Sequence, residues 1–348
     1  MKNVLYSNEV NTTLKTFIEG GDYNLVMVLV DNNTRQLVLP HIACLSNAHV
    51  IEMPSGDEGK NIDSLMSVWR QMEHCGATRR SLLVNLGGGV VTDLGGLAAA
   101  TFKRGIHFVN VPTTLLAAVD ASVGGKTGIN FMGLKNEIGV FAHPQQVIVS
   151  TCFFNTLPQQ EIKSGFAEVL KHAMLSSHEE MMTLLEMDIN SVDWRLFLDK
   201  LQASVEVKLK IVDEDPTEQG LRKSLNLGHT VGHAFESMAL AKGKPVPHGW
   251  AVAWGLVVEA VPSHMKLQFP SDDLYSLARF VVDCYGPFHF TCDDYDELIS
   301  LMRHDKKSTD HEINCSLLKK CGDVVINYNI NLNDMKAAFD IYRDLMGI

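Results

Sequence analysis

The chain has 348 residues, of which 46% are hydrophobic and 20% are charged, and its formal net charge is −11. This length allows two domains with separate cores, and the composition is typical of a globular protein rather than a disordered one. The negative charge argues against a general nucleic-acid-binding protein, whose affinity would require a basic surface. An anionic substrate must therefore be bound by a local cluster of basic side chains.

The cysteine content and the N-terminal residues indicate the cellular compartment of the protein. Seven cysteines are scattered along the chain without a CxxC pair, which favours a reducing cytosol over a disulfide framework. The residues from Met1 to Glu9 contain no apolar signal segment, and no apolar run approaches the length needed to span a membrane. We therefore expect a cytoplasmic protein that is not bound to a membrane.

The first half of the sequence contains short apolar runs that end in turn residues. These runs alternate with helical stretches, a pattern that predicts an α/β domain with a parallel sheet. The predicted strands are Leu25 to Val30, Leu82 to Leu86, Phe108 to Val111, and Val147 to Val149.

The pattern changes near Thr156-Leu157-Pro158. Beyond this point, apolar residues recur at helical spacing, at Ile162, Phe166, Val169, Leu170 and Ala173, and Thr156 is a candidate N-cap. Similar stretches continue almost to the last residue. The sequence therefore predicts an α/β domain over residues 1–155 and an all-α domain over 156–348, with a cleft between them.

A glycine turn follows the strand predicted at Leu82 to Leu86. Gly87, Gly88 and Gly89 precede a helical stretch that contains Asp93. Glycines at such a turn let backbone N–H groups approach a pyrophosphate at a helix N-terminus. The third glycine of a GxGxxG motif is replaced by Thr92, so a purely structural tight turn is an equal alternative.

A second glycine motif, Gly124-Gly125-Lys126-Thr127, is similar to the end of a P-loop. The P-loop spacing is not met, because Asp120 stands five positions before Gly125 where the motif needs glycine. The segment is therefore interpreted as a glycine loop that presents one lysine, with Lys135-Asn136 close behind it.

The histidines of the second half indicate a metal site. In a helical segment, His229 and His233 lie at i and i+4 on one face, and His248 follows some fifteen residues later. Glu168, in Glu168-Val-Leu-Lys171, could supply a carboxylate, and three N/O ligands with an open position suit a catalytic zinc. The spacing leaves open which helical histidine is a ligand, and His pairs also occur at packed or surface positions. Thr230 follows the first histidine, so the HExxH arrangement of zinc proteases is absent.

Taken together, these motifs resemble those of the 3-dehydroquinate synthase family from about Asp31 to Ser308. The matching pieces are Gly87-Gly88-Gly89 with Asp93, Lys103-Arg104-Gly105, Val111-Pro-Thr-Thr with Asp120 and Gly124-Gly-Lys126-Thr, Lys135-Asn136, Thr156-Leu-Pro with Glu161, Glu168-x-x-Lys171, Lys208, Gly220-Leu-Arg222 through Glu236, His248-Gly249, and Asp305-Lys306-Lys307. The resemblance implies an N-terminal NAD-binding α/β domain and a C-terminal helical domain with the metal.

The resemblance also implies roles for individual residues. Glu168, His229 and His248 would bind Zn²⁺ or Co²⁺, and His233 would lie on the substrate side. Residues that would line NAD are Asp31, Asn33, Asp57, Lys60, Gly88, Gly89, Asp93, Thr113, Thr114, Lys126, Lys135, Thr156 and Glu161. Near the ribose, the segment Gly56-Asp57-Glu58-Gly59-Lys60 leaves either Asp57 or Glu58 to bind the hydroxyls.

The residues that would bind substrate or act in catalysis form a third set. Its members are Arg104, Asp120, Lys126, Lys135, Asn136, Lys171, Lys208, Arg222, Asn226, His233, Lys306 and Lys307. In this family the arginine at the position of Arg104 reaches the phosphate bound to the neighbouring subunit, which implies a homodimer.

The implied activity is the conversion of 3-deoxy-D-arabino-heptulosonate 7-phosphate to 3-dehydroquinate and phosphate, in the shikimate pathway of aromatic amino-acid biosynthesis. Three alternatives are weighed against it. Another sugar-phosphate cyclase would have the same cofactors but a substrate without a carboxylate. A metal-dependent polyol dehydrogenase would release NADH, and a metal-bound scaffold would have no activity.

Overall fold

The computed structural model describes residues 3–132, 134–305 and 312–348. The chain divides into two compact units, the first formed by Met1–Glu161 and Asp193–Val205, and the second by Ile162–Val192 and Glu206–Ile348. The assignment of a nucleotide-binding domain to 1–155 and a metal-binding domain to 156–348 stays a prediction.

The first unit contains a six-stranded sheet with the strand order β1-β8-β5-β4-β2-β3, and every neighbouring pair is parallel. The strands of this unit are β1 Val4–Tyr6, β2 Leu25–Asp31, β3 His49–Met53, β4 Ser81–Gly87, β5 His107–Pro112, β6 Lys126–Phe131, β7 Leu134–Phe141 and β8 Gln146–Val149. The four apolar runs predicted as strands lie within β2, β4, β5 and β8. The predicted α/β fold with a parallel sheet is confirmed.

Helices cover both faces of this sheet. The helices that lie wholly in the unit are α1 Val10–Glu19, α2 Asn32–Leu37, α3 Ile62–His74 and α4 Gly89–Thr101. One apolar core joins the sheet to α3 and α4, and a second joins it to α1 and the short turns between β2 and β3. The chain therefore passes from β2 to β3 on one face and from β3 to β4 on the other. This change of face lies between β2 and β4, and such a switch point opens a crevice outside the carboxyl ends of the strands.

A separate antiparallel hairpin is formed by β6 and β7. Its first strand lies against α4, where a Cβ added to Gly96 would come within 2.5 Å of the Thr127 side chain. All eight residues of β7 are exposed, and four of them are large and apolar: Leu134, Ile138, Val140 and Phe141.

The second unit is mainly helical. Its described helices are α5 Gln159–Ser176, α6 His178–Leu185, α7 Trp194–Glu214, α8 His229–Ala241, α9 His248–Leu267, α10 Ser271–Tyr285, α11 Tyr295–Asp305 and α12 Leu332–Met346, of which α5 and α7 begin in residues of the first unit. The long α9 is buried along most of its length, and an aromatic cluster that includes Phe235, Trp254, Phe288 and Tyr342 packs beside it. The predicted helical second half is confirmed.

Two features of this half differ from the sequence expectations. Thr156 does not cap α5: it ends a 3₁₀ turn, Cys152–Thr156, and the helix starts three residues later at Gln159, after Pro158. The second unit also contains an antiparallel hairpin, β9 Glu312–Lys320 and β10 Asp323–Asn331, which the helical pattern did not predict.

Candidate functional site

Three helices of the second unit bring a carboxylate and two imidazoles together. Glu168 lies in the middle of α5, while His229 and His248 are the first residues of α8 and α9. The Nε2 atoms of His229 and His248 lie 3.2 and 3.5 Å from Glu168 Oε1, and the ligand atoms of all three residues lie within 4.8 Å of one another. Ligands that bind zinc tetrahedrally at 2.0–2.2 Å lie about 3.3–3.5 Å from each other, so the spacing fits a metal ion.

The second ring nitrogen of each histidine is held by an acceptor. His229 Nδ1 donates to the carbonyl oxygen of Leu227 at 3.1 Å, and His248 Nδ1 lies 3.3 Å from Glu236 Oε2. These contacts orient both rings and leave the two Nε2 atoms directed at Glu168. A metal-binding histidine almost always has such a partner, because it fixes the tautomer and increases the basicity of the ligand nitrogen.

The charges around Glu168 favour its ionised form. This side chain is fully buried, and the Lys171 ammonium contacts its second oxygen. Burial opposes ionisation, but the charge of Lys171 and the hydrogen bonds from His229 and His248 outweigh it and hold the pKa of Glu168 well below its usual value. Burial and Lys171 lower the pKa of His229 to about 4, so its imidazole is neutral, as metal binding requires.

His248 differs from His229 because it contacts two carboxylates. Burial lowers the pKa of His248, but hydrogen bonds to Glu168 and Glu236 raise it to about 9. The negative charges of Glu168 and Glu236 therefore favour a cation between the His248 imidazole and Glu168.

His233 lies near this group, one helical turn after His229. Its ring centroid is 5.3 Å from that of His229 and 5.9 Å from that of His248. The ligand group found among the described residues of these helices joins Glu168, His229 and His248. The geometry thus favours the histidine pair that the resemblance implies, with His233 beside the metal ligands.

The predicted substrate-binding cations of this unit are buried. Lys171, Lys208 and Arg222 have 1%, 6% and 2% of their surface exposed. The segment that presents Arg222 is held by Asp215, whose carboxylate accepts the backbone N–H groups of Gly220 and Arg222 at 2.7 and 3.0 Å. The guanidinium itself donates to the Pro216 carbonyl oxygen at 2.6 Å.

Asn226 lies in the same 3₁₀ segment, Leu221–Asn226, as Arg222. Its amide donates to Glu218 Oε1 at 3.1 Å. Lys306 and Lys307, which were also predicted to bind substrate, lie outside the described residues.

The glycine turn of the first unit is located at the switch point of the sheet. Gly88 precedes α4 and Gly89 is its first residue, directly after β4. Thr113 and Thr114 follow the neighbouring β5, where the Thr113 N–H donates to the Gly87 carbonyl oxygen at 3.0 Å. A Cβ added to Gly88 would meet the Thr114 side chain at 3.4 Å, so the turn approaches β5 closely.

Beside this turn, the structure joins two of the predicted nucleotide-side residues, Lys60 and Asp93, with Asn136 of the predicted substrate set. Lys60 Nζ lies 2.6 Å from Asp93 Oδ2 and also contacts the side-chain oxygen of Asn136. Lys60 has 5% of its surface exposed, so its ion pair with Asp93 is largely shielded from water. A second pair, Lys135 Nζ and Asp57 Oδ2 at 3.0 Å, lies on exposed side chains.

Asp31 ends β2, and Asn33 is exposed in α2. The Asp31 carboxylate accepts the backbone N–H of Thr34 at 2.8 Å, so Asp31 caps α2 at the carboxyl end of its strand. The carboxyl ends of parallel strands lie at one edge of a sheet. Asp31 and the glycine turn therefore share that edge.

Five other predicted residues occupy separate elements of the first unit. Their positions are Arg104 in the turn Phe102–Arg104, Asp120 in the π-helical turn Ala117–Ala121, Lys126 at the start of β6, Thr156 in the 3₁₀ turn Cys152–Thr156, and Glu161 in the first turn of α5. Arg104 is exposed and has a left-handed backbone, with a φ of 66°.

Glu236 is a site residue that the sequence prediction did not assign. It contacts His248, and it lies seven residues, or two helical turns, after His229 on α8. The i, i+7 spacing from His229 places Glu236 on the histidine face of the helix, and this spacing could have identified it from the sequence. It was not assigned because a glutamate on a helix is more often a solvent-exposed residue.

Two family models match the chain. The model described as 3-dehydroquinate synthase N-terminal matches residues 50–164, and the one described as 3-dehydroquinate synthase C-terminal matches residues 165–308. A curated relative, the 3-dehydroquinate synthase of Parabacteroides distasonis, is 43% identical over 350 residues, which cover 100% of this chain and 99% of the relative.

Solved structures of sugar-phosphate cyclases share the fold. A 2-deoxy-scyllo-inosose synthase in complex with carbaglucose-6-phosphate, NAD⁺ and Co²⁺ has a TM-score of 0.84 and 21% identity, and covers 98% of this chain and 96% of its own. The 2-epi-5-epi-valiolone synthase of Streptomyces hygroscopicus with NAD⁺ and Zn²⁺ has a TM-score of 0.84 and 22% identity, with 99% and 97% covered. None of the helices in the described residues is long and apolar enough to cross a membrane.

Proposed function

Because the chain belongs to the 3-dehydroquinate synthase family, we propose that it converts 3-deoxy-D-arabino-heptulosonate 7-phosphate to 3-dehydroquinate and phosphate. The observation that carries the proposal is the group of Glu168, His229 and His248, in a chain that matches a relative of this name over its whole length. The enzyme would be a cytoplasmic carbon–oxygen lyase of the shikimate pathway that depends on NAD and on a divalent metal.

The metal would be held by Glu168, His229 and His248. Two imidazoles and one carboxylate are ligands that suit zinc, and three protein ligands leave a position open for a substrate oxygen. Cobalt accepts the same ligands, so Zn²⁺ and Co²⁺ are the two metals that we propose. The contacts of Leu227 and Glu236 with the two histidines support this assignment.

NAD would lie at the carboxyl edge of the sheet in the first unit. Gly88 and Gly89 leave the backbone N–H groups at the start of α4 accessible to a pyrophosphate. Asp31 and Asp57 lie at or beyond the ends of β2 and β3, where carboxylates can accept ribose hydroxyls. The further nucleotide-side residues would be Asn33, Lys60, Asp93, Thr113, Thr114, Lys126, Lys135, Thr156 and Glu161.

When bound, NAD would supply reversible hydride transfer and the metal held by Glu168, His229 and His248 would supply a Lewis acid for the hydroxyl group whose carbon is oxidised, so that the reaction would involve no net oxidation. The side chains of this protein would orient the substrate. His233, Lys171 and Asn226 would hydrogen-bond hydroxyls and stabilise negative charge that develops on oxygen. The substrate phosphate would take the proton that is lost before elimination, so a dedicated carboxylate base is not required.

The buried cations support a substrate with two acidic groups. Lys171, Lys208 and Arg222 are almost completely shielded from water in a protein whose net charge is −11. A carboxylate and a phosphate can accept charge-assisted hydrogen bonds from such cations, whereas a neutral polyol carries no anionic group that could do so. This favours the synthase over the dehydrogenase alternative.

We also propose that the enzyme is a homodimer. The hairpin β6–β7 exposes Leu134, Ile138, Val140 and Phe141 by 40–59%, and among the described residues β7 has β6 as its hydrogen-bonded neighbour. Exposed apolar residues on an edge strand are typical of an interaction surface. Arg104, which would reach the neighbour's substrate, lies on a concave surface with Arg79, Thr101 and Lys103.

One assay tests the activity. The purified protein is incubated with the heptulosonate phosphate, a divalent metal and catalytic NAD, and phosphate release and NADH absorbance are followed together. We expect phosphate in proportion to substrate, without accumulation of NADH. Lasting NADH would favour a dehydrogenase, and turnover of sedoheptulose 7-phosphate at an equal rate would favour another cyclase. A protein that binds metal but converts none of these compounds would be a scaffold.

A further inference from the structure

Glu259 is a fully buried carboxylate in α9 that contacts the start of α8. Its Oε2 accepts the backbone N–H of Gly228 at 2.7 Å, and its Oε1 accepts the backbone N–H of Val231 at 3.1 Å. These two N–H groups stand on either side of His229. A carboxylate that caps a helix N-terminus satisfies donors without intrahelical partners and interacts favourably with the helix dipole.

The helices approach each other closely enough for this contact because glycines line the crossing. A Cβ added to Gly255, one turn before Glu259, would lie 1.9 Å from the Gly228 carbonyl oxygen. A Cβ on Gly232 would lie 2.8 Å from the Ala251 carbonyl oxygen. The backbones of α8 and α9 are therefore in direct contact, and Glu259 reaches across without an intervening side chain.

The capped turn controls the direction of the His229 ring. Gly228 adopts a left-handed conformation, with a φ of 76°, and connects Leu227 to the first residue of α8. The Leu227 carbonyl oxygen is the acceptor that orients His229 Nδ1. A shift of this turn would thus move both the histidine backbone and the acceptor that aims its Nε2 atom at Glu168.

From these contacts we infer that Glu259 is a positioning residue of the metal centre. Its carboxylate holds the backbone from Leu227 to Val231 in the conformation that presents His229 as a ligand. The inference rests on the proposed metal site, but it concerns the contacts of Glu259 with the backbone N–H groups of Gly228 and Val231 rather than a metal ligand itself. We expect replacement of Glu259 to change metal affinity and coordination geometry directly, and to lower activity as a consequence.

Ser263 provides a matched control one helical turn further along α9. It is buried like Glu259, and its hydroxyl oxygen accepts the backbone N–H of Leu318 at 3.1 Å. Ser263→Ala therefore removes this contact with β9, together with the hydrogen bond that the hydroxyl donates to the Glu259 backbone carbonyl oxygen at 2.8 Å. It leaves the Glu259 carboxylate and its contacts with the N–H groups of Gly228 and Val231 in place. The comparison separates a general loss of stability from a specific effect on the metal.

The experiment measures metal affinity by chelator competition, the visible spectrum of the Co²⁺-loaded protein, and the thermal stability of the metal-free protein. Glu259→Gln keeps the side-chain shape but directs an amide N–H₂ group at one of the two backbone donors. We expect it to weaken metal binding about 10–100-fold and to shift the Co²⁺ spectrum, as changes to groups that orient ligands do. Glu259→Asp, which keeps the charge but is one methylene shorter, should show the same effects to a smaller degree and serves if the glutamine variant does not fold.

The inference is overturned if the folded variants bind Co²⁺ with unchanged affinity and spectrum. It is also overturned if Ser263→Ala, at equal loss of stability, weakens metal binding as much. A wild-type protein that binds neither Zn²⁺ nor Co²⁺ would instead refute the proposed metal site, so the two failures are distinguishable.

Discussion

At the scale of single residues, the proposed metal site uses His229 rather than His233 as a ligand, and substitution of each histidine tests this choice directly. Both lie on one face of α8, but the Nε2 atom of His229 faces Glu168 and its Nδ1 is held by Leu227. We expect His229→Ala and His248→Ala to abolish stoichiometric metal binding, because each removes one of three protein ligands. His233→Ala should keep the metal and lose activity. Metal content by elemental analysis, after gel filtration of each variant, measures this.

The opposite pattern would contradict the assignment: metal retained in His248→Ala and lost in His233→Ala. Glu236→Gln belongs in the same series, because it removes the negative charge that contacts His248 Nδ1 and leaves the ligand in place. We expect it to weaken metal binding about 10–100-fold rather than abolish it.

Arg222 separates the proposed activity from those of related cyclases. A guanidinium can bind a carboxylate through two parallel charge-assisted hydrogen bonds, each worth about 1.5–3 kcal/mol. We therefore expect Arg222→Ala to lower kcat/KM for the heptulosonate phosphate by roughly 10-fold to more than 100-fold. Arg222→Lys should recover only part of this loss, because an ammonium cannot make the planar bidentate contact.

Lys223→Ala is the matched control for Arg222, since it removes a neighbouring cation of the same turn whose ammonium contacts Asn327. Its kcat/KM should stay near that of the wild type, and the metal content of all three variants should be unchanged. An Arg222→Ala enzyme with full kcat/KM would remove the reason to prefer a substrate that carries a carboxylate.

At the scale of elements, close helix contacts position the proposed metal ligands. Gly249 follows His248 in α9, and a Cβ there would lie 2.2 Å from the Ser164 carbonyl oxygen of α5, the helix that carries Glu168. Gly249→Ala must therefore separate α5 from the start of α9, since neither backbone can yield locally. We expect a loss of about 1–3 kcal/mol in the free energy of unfolding, together with weaker metal binding. Denaturation and chelator competition measure the two quantities.

Gly243→Ala controls for a glycine replacement without a steric conflict. Gly243 has a φ of 71° and no atoms within 4 Å of an added Cβ, so alanine there costs roughly 1–2 kcal/mol of backbone strain alone. Metal affinity should not change in this variant. If both variants lose affinity equally, the α5–α9 contact does not position the ligands.

The elements could be predicted where the sequence carries a strong periodic signal. The apolar runs located β2, β4, β5 and β8, and apolar residues at helical spacing located α5, because strand burial and helix spacing are local properties. The N-terminus of α5 was misplaced because Pro158 follows Leu157, and the residue before a proline is disfavoured in the helical conformation. The hairpin β9–β10 was missed, although Ile326, Tyr328 and Ile330 alternate with asparagines in β10, which is the period-two pattern of a strand with one buried face.

Contacts between distant elements could not be predicted in the same way. The partnership of His248 with Glu236, and that of Glu259 with the start of α8, depend on how helices cross. The spacing of residues within one helix does not determine that crossing. Glu259, within the buried stretch 251–263 of α9, was nevertheless a usable signal, since a buried carboxylate needs a partner.

At the scale of the whole molecule, the proposed homodimer predicts that each active site needs two subunits. Arg104 lies in the first unit, and His248 lies in the second. If Arg104 acts on the substrate of the neighbouring subunit, a mixed dimer of Arg104→Ala and His248→Ala subunits contains one site with both defects and one site with neither. Two inactive proteins should therefore regain activity when their subunits exchange.

The expected recovery can be calculated from dimer symmetry. Random exchange at equal concentrations makes half of the dimers mixed, and one of the two sites in each is intact, so about one quarter of wild-type activity should return. His229→Ala mixed with His248→Ala is the matched control, because both defects affect ligands that one subunit supplies to its own site, and no intact site can form. Native mass spectrometry of differently tagged subunits establishes that exchange has occurred. If exchange is complete and the Arg104→Ala mixture stays as inactive as the control, then Arg104 does not act across the interface of the proposed homodimer.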